Sequence, residues 1–535
     1  MLPPTTAPED FTDAEREMLA PYFTNADKHV FGLTNLPETV KGALFARYSR
    51  SSKSLRRLFL DEFAKDVGAA ALPARAVGVD RAERLYAKVF SEYGDDSVAQ
   101  LGGAHLACEY VSNVLTKVLE WGRLMAYLEQ STRYVAYTDK LHGRWRYHVP
   151  AELEGALRDR YERYMDDAFE TYARLIGRVQ EYFGAKYPKG DADSEAVHRT
   201  AIRAKALDTL RGMLPAATQS NVGIYGTGQA YEALLLRMRA HPLAEVRQCA
   251  DEMLTELRTI IPAFLTRVDQ PDRGERWSGY LSHTRRGVAE QALVLVGSTP
   301  PDERPEVTLT EFDPDGEVKV VAAALYSSSC LPDDQLLALA RRLSPDDRAA
   351  VLRSCVGDRG NRRHRPGRAF ERTAYRFDVL TDYGAFRDLQ RHRLLTLEWQ
   401  PLSTRHGYSE PEALEAAGVL DEWTRIMDGS AELYEAVVSA GLHDVAPYAV
   451  AMAYRVRFYM QMNAREAMHV IELRTSPQGH PAYRRVCQMM HRLIGEQAGH
   501  HAIADAMRFA DHSDVELERL QSERALERKR TRAQP

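Results

Sequence analysis

A chain of 535 residues is too long for one ordinary hydrophobic core, so two or more domains are expected. Hydrophobic residues at 44% and charged residues at 27% are globular values and exclude a disordered or fibrous chain. A net charge of -5 excludes a general nucleic-acid binder, whose footprint is broadly basic, so any anion site has to be a local pocket.

The start, Met1-Leu2-Pro3-Pro4 followed by acids, carries no leader pattern, and residues 1–40 read as a surface-lying lead-in. No apolar run approaches membrane-spanning length, which predicts a soluble, cytoplasmic protein without membrane or nucleic-acid partners. From Thr39 to Phe63 apolar positions recur at three and four, broken by the Ser-rich run Arg47 to Ser54. Asp95, Asp96 or Ser97 would cap a helix running towards Thr116. On that helix His105 and Glu109 would form a surface pair at i, i+4. Tyr161, Met165, Phe169, Tyr172, Ile176, Val179 and Phe183 then mark a long amphipathic helix stopped by Gly184.

Helices are expected over 195–217 and 228–268, joined by Gly223-Ile224-Tyr225-Gly226-Thr227-Gly228. That join reads as a plain turn, since no strand signal precedes it and its glycines do not match a dinucleotide fingerprint. Pro, Gly, Arg and Asp dominate residues 269–307, which places a linker between domains at 1–268 and 308–515. Thr308 to Phe312, the turn Asp313 to Gly316 and Glu317 to Tyr326 read as a hairpin. Helical patterns follow over 334–354, 420–440, 445–473 and 480–510. The basic stretch 516–535 lacks apolar periodicity and reads as a disordered tail. The cysteines Cys108, Cys249, Cys330, Cys355 and Cys487 are odd in number and far apart, which fits reduced thiols better than a disulfide framework or a zinc site.

The densest chemistry lies in Arg391-His392-Arg393 and the following residues to Ser403-Thr404-Arg405. Arginines this close repel unless an anion sits among them, so the stretch is either a phosphate or carboxylate site or a solvated basic face. It also has a twin. Arg123 with Ser131-Thr132-Arg133 echoes Arg393 with Ser403-Thr404-Arg405, and Ala46-Arg47-Tyr48-Ser49 echoes Ala324-Leu325-Tyr326-Ser327. Leu236-Arg237 with His241-Pro242 echoes Leu473-Arg474 with His480-Pro481. Matched blocks in the same order predict a tandem duplication.

Both halves resemble the flavin-dependent thymidylate synthase (ThyX) family, whose pattern is Arg-His-Arg, seven residues, Ser-x-Arg, then Asn-Ala-Arg, Leu-Arg and a His. The second half shows Arg391-His392-Arg393, Ser403-x-Arg405, Asn463-Ala464-Arg465, Leu473-Arg474 and His480. The first shows Arg123, Ser131-x-Arg133, Arg211, Leu236-Arg237 and His241. Nine residues separate Arg393 from Ser403 where the family has seven, and Pro447 stands at the position matching Arg211. In the first half Trp121-Gly122 replaces Arg-His, and Gly226 to Gly228 replaces Asn-Ala-Arg.

The resemblance implies an α/β (α+β) fold: two domains, each a mainly antiparallel sheet flanked by long helices. It implies FAD as cofactor, with NADPH and methylenetetrahydrofolate as co-substrates and dUMP as substrate, in a homo-oligomer built as a dimer of tandem chains. Arg391 and Arg474 take the catalytic role, and Arg391, His392, Arg393, Asn463, Arg465 and His480 the flavin. Glu129, Ser131, Thr132, Arg133, Arg211, Arg237, Ser403 and Arg405 take the nucleotide, in a composite site between the halves. Other readings remain: C5 alkylation of another pyrimidine nucleotide, or an inactive flavin- or nucleotide-binding protein. Arg474 and Arg237 also read as C-terminal helix caps, His241 and His480 as helix starts, and Glu129 as a structural partner of Arg123 or Arg133. No metal is implied, since the histidines are not paired at ligand spacing.

Overall fold

A computed structural model describes residues 8–36, 38–64, 100, 102–191 and 193–533; the expected caps at Asp95, Asp96 and Ser97 lie outside them. Eight strands form two four-stranded antiparallel sheets. They are β1 (Val30–Leu33), β2 (Gly103–Ser112), β3 (Met125–Glu129), β4 (Gln219–Thr227), β5 (Val307–Phe312), β6 (Ala374–Asp382), β7 (Thr396–Trp399) and β8 (Arg455–Asn463). The sheet orders are β1-β2-β4-β3 and β5-β6-β8-β7, so the second half repeats the topology of the first. The expected α+β class and duplication are both present.

One compact unit draws on Met1–Arg174, Met213–Pro301 and Thr424–Ala451, the other on Leu175–Gly212, Asp302–Trp423 and Met452–Pro535. In the first, the sheet packs on a core of Phe23, Phe31, Phe45, Tyr48 and Phe59. In the second, Phe386 packs at 4.9 Å from Phe458 on the face of β8.

The Ser-rich run does break its helix: Glu38–Tyr48 ends on the run's second residue, and Ser54 caps Leu55–Glu62 by accepting from the Arg57 amide. The long amphipathic helix spans Gly155–Lys186. Where strands were missed, the cause is visible. The stretch read as a helix towards Thr116 is β2, buried on both faces, so it shows no alternation. The α-helix described there is Asn113–Leu119. His105 and Glu109 are therefore not a surface pair. His105 lies 4.5 Å from the Tyr225 ring, and buried Glu109 accepts from the Leu55 amide at 2.9 Å and from Tyr48 at 3.2 Å. The glycine-rich join is strand β4, in which a Cβ at Gly223 would lie 2.3 Å from Phe45. The expected helix 228–268 is two, Gly228–Arg239 and Ala244–Arg258.

The expected hairpin has only one strand: Glu317 to Tyr326 belongs to the helix Gly316–Tyr326, whose unalternating apolar run suits a helix against a core. The expected helix 445–473 begins as β8, whose burial alternates strictly. Within 269–307 lies a helix, Arg276–Leu295. The stretch 516–535 carries the helix Leu520–Ala533, fixed by ion pairs that apolar periodicity cannot reveal: Arg524 meets Asp193 at 2.7 Å and Glu518 meets Lys205 at 2.6 Å. Among the described residues no helix is long and apolar enough to cross a membrane.

Candidate functional site

In the second unit, Asp382 ends β6 and caps the helix Tyr383–Leu389, its Oδ1 accepting from the Ala385 amide at 2.8 Å. That short helix delivers Asp388, Arg391 and His392 to one place. Asp388 pairs with Arg391 and lies 3.4 Å from Arg474, whose Nη2 also donates to the Asp388 carbonyl. β8 leads directly into the helix Ala464–Arg474, capped by Asn463 Oδ1 accepting from the Glu466 amide at 2.9 Å. From its last turn, Arg474 donates Nε–H to His392 Nε2 at 2.9 Å.

An arginine always donates, so His392 is neutral and its proton sits on Nδ1. Burial first, then the charges of Arg474, His469 and Arg391, hold the imidazole well below its ordinary range. Its Nδ1 lies 3.8 Å from Glu466, and the His469 ring is 5.5 Å away. Burial raises Glu466 to about 7 although Arg365, Arg465 and Arg393 pull it down. His469 falls to about 4 through burial and the charges of Arg365, Arg362 and Arg474. Arg465 donates to the Pro366 carbonyl at 2.9 Å and faces Glu371 at 3.5 Å, and Arg393 is exposed.

Ligand atoms of His392, Glu466 and His469 lie within 4.8 Å of one another, a spacing that would suit a metal. Yet Arg474 occupies His392 Nε2, Arg365 occupies His469 Nδ1 at 2.9 Å, and Arg391, Arg393 and Arg465 add like charge. Such surroundings oppose a cation and favour an anion.

Arg211 is 4% exposed and also lies in the second unit, over Gly384, where a Cβ would stand 3.3 Å from its Nη2. That Nη2 has no hydrogen-bond partner among the described residues. Asp382 is raised by burial, with Arg211 opposing.

The Ser-x-Arg blocks form the same turn in both halves. Ser131 Oγ accepts from the Arg133 amide at 3.3 Å, and Ser403 Oγ from the Arg405 amide at 3.4 Å. Glu129 opposes Val222 on β4, Trp399 opposes Phe458 on β8, and the next residues continue alike: Gln130 donates to Asn221 at 2.8 Å, Gln400 to Arg457 at 2.9 Å. The two additional residues between Arg393 and Ser403 therefore lie after the strand, at Pro401 and Leu402.

In the first unit the Ser131 amide donates to Ser49 at 3.0 Å, and Arg50 stands over the Tyr134 ring, so the Ala46 to Ser51 block supports this turn. Thr132 and Arg133 are buried. Glu129 meets Lys117, itself buried, at 3.3 Å. Gly122 replaces His392 for a steric reason, since a Cβ there would lie 2.5 Å from the Tyr127 hydroxyl. Arg237 stacks on Trp121 at 4.9 Å; Trp121 stands where Arg391 does, so this contact does not repeat that of Arg474 with His392. His480 does start a helix, capping Pro481–Glu496, whereas the helix after His241 begins at Ala244 with Leu243 as its cap; both histidines accept through Nδ1 at 3.3 Å from the amide two residues on. Sequence reasoning missed Asp388, Glu466, His469 and Arg365. Glu466 and His469 share a helix face at i, i+3 just past Asn463-Ala464-Arg465, which was the available signal.

Repeated α+β sheets, the second with part-buried and exposed guanidiniums gathered around buried His392, define a duplicated α+β protein with a cationic centre in its second half. The chain belongs to the thymidylate synthase complementing protein family, whose model matches residues 41–263 and 308–498. It is 39% identical over 528 residues to a UPF0159 protein of Chlamydia pneumoniae, covering 96% of this chain and 98% of that protein. A UPF0159 protein of Thermoplasma acidophilum is 29% identical, covering 90% and 97%. A flavin-dependent thymidylate synthase of Clostridium tetani is 26% identical over 181 residues, 33% of this chain and 67% of that protein.

Proposed function

We propose that this chain is a flavin-dependent enzyme that methylates dUMP to dTMP with methylenetetrahydrofolate and NADPH. The observation that carries the reading is Arg474 held against neutral His392 among Arg391, Arg393 and Arg465, a donor set suited to a flat anionic ligand. FAD fits this set, and when bound it would supply the reducing hydride. Arg391, Arg393 and Arg465 would hold its anionic groups, beside His392, His480 and the amide nitrogen of Asn463.

Arg474, fixed by His392 and Asp388, would point a rigid fork at a uracil carbonyl and favour charge developing there. Arg211 brings a buried donor in need of an acceptor. The Ser131-Thr132-Arg133 and Ser403-Thr404-Arg405 turns present hydroxyls and guanidiniums of the kind that bind phosphate, and Arg237 and Glu129 would join the first of them at the nucleotide. Two tandem chains would together supply four family domains as a dimer.

A second reading, a flavin- or nucleotide-binding protein without turnover, is favoured by Trp121-Gly122 and Pro447 at positions where the resemblance requires polar groups. Complementation of a thymidine-requiring strain separates the two. Growth supports synthesis of dTMP, and no growth with soluble, flavin-coloured protein supports the second reading.

A further inference from the structure

The loop from Arg359 to Arg372 carries arginine at 359, 362, 363, 365, 368 and 372. Three of these are matched by acids: Arg359 by Glu472 at 2.6 Å, Arg368 by Glu371 at 3.1 Å and Arg372 by Asp333 at 3.0 Å. Arg362, Arg363 and Arg365 have no carboxylate partner among the described residues.

The loop that presents them is tied down throughout. Buried Arg359 donates to the Arg362 carbonyl at 3.4 Å, to the Ala506 carbonyl at 2.7 Å and also to the His364 carbonyl. The Gly360 amide donates to His364 Nδ1 at 3.2 Å, and the Arg363 amide to Asn361 Oδ1 at 2.9 Å. Arg465 holds the Pro366 carbonyl, and Arg365 reaches His469 at 2.9 Å. Three unmatched guanidiniums thus stand on a fixed backbone beside an already cationic cluster. Like charges held together without counter-charge gain most from a multivalent anion.

We propose that Arg362, Arg363 and Arg365 form a second anion subsite, which takes the polyanionic end of a ligand whose flat part lies at the Arg391 to Arg393 site. It rests on the proposed function in this respect: a folate with a glutamyl chain ends in a run of carboxylates, and a flavin dinucleotide carries a diphosphate. Both offer closely spaced oxyanions to a row of forks.

The test is calorimetric titration of the full chain, at low ionic strength, with γ-pentaglutamate and separately with inorganic pyrophosphate. The wild type, the triple variant R362S/R363S/R365S and the matched-arginine control R368S are compared, with thermal melts to verify folding. The triple variant is expected to bind at least one probe roughly tenfold more weakly or worse, while R368S stays within about twofold of wild type. A pentaglutamate effect assigns the subsite to carboxylates, and an effect on pyrophosphate alone assigns it to phosphate. Wild type binding neither probe at millimolar concentration, a folded triple variant binding both like wild type, or R368S losing as much as the triple variant would each overturn the proposal. Neither probe needs flavin or turnover. Intact probe binding without dTMP formation therefore counts against the proposed function alone.

Discussion

Arg474 donates its Nε–H to His392 Nε2 across 2.9 Å, and this one contact sets both the charge and the tautomer of the histidine at the heart of the second-half site. His392 should remain neutral, with Nε2 unprotonated, well below the pH at which a free imidazole titrates, since burial and three neighbouring cationic or basic groups oppose its protonation. Long-range proton–nitrogen NMR of histidine-labelled protein reads both properties. A titration of His392 near its ordinary value of 6.5 would contradict the arrangement.

Glu466 has the opposite sign of linkage. Its folded value, about 7, is raised above the ordinary 4.5, so the folded state holds a proton that the unfolded state has lost. Its contribution to stability is complete below 4.5 and disappears as the pH rises through 7, a change of roughly 3 kcal/mol. His392 and His469 are depressed, so their contribution is present above 6.5 and is lost as the pH falls, for His469 through about 4. The two slopes partly cancel between pH 4.5 and 6.5. E466Q should unmask the histidine slope, so that stability by urea denaturation rises more steeply with pH than in wild type. Parallel profiles would show that Glu466 titrates normally.

Arg359 and Glu472 form a fork-to-fork pair, each with a side chain 1% exposed. Removing one partner strands a buried charge. R359M or E472Q alone should cost about 3 to 5 kcal/mol, while R359M/E472L should cost less than the sum of the two, short of recovery because the carbonyls that Arg359 holds lose their donor. Chemical denaturation of the three variants measures this, and a double variant as weak as the sum of the singles would contradict it.

R211A removes the donor whose Nη2 stands without a partner. If Arg211 faces the nucleotide, dUMP affinity by titration should fall by about 1.5 to 3 kcal/mol, in addition to a loss of thermal stability from the emptied site beside buried Asp382. It should also raise Asp382 further, since Arg211 opposes the effect of burial there. Unchanged dUMP binding would assign Arg211 to structure.

Much of the site was legible because its parts are local. The repeated Ser-x-Arg turns, the helix start at His480 and the order of the blocks depend on neighbours within a few residues. The strands were less so. β2 is buried on both faces and β4 carries glycines where Phe45 presses against it, so neither shows period two. β8 does alternate, with Val456, Phe458, Met460 and Met462 inward, and was readable. Contacts between distant segments, such as Glu472 with Arg359, Lys117 with Glu129 and Arg211 beside Gly384, exist only once the chain has folded.

The central claim is that this chain turns over dUMP at its guanidinium cluster. It is tested most directly by tritium release from 5-labelled dUMP, using purified flavin-loaded protein with methylenetetrahydrofolate and NADPH. The account predicts tritium in water together with dTMP, both lost in R474A. Protein that binds flavin and dUMP yet releases no tritium above the buffer control would contradict it.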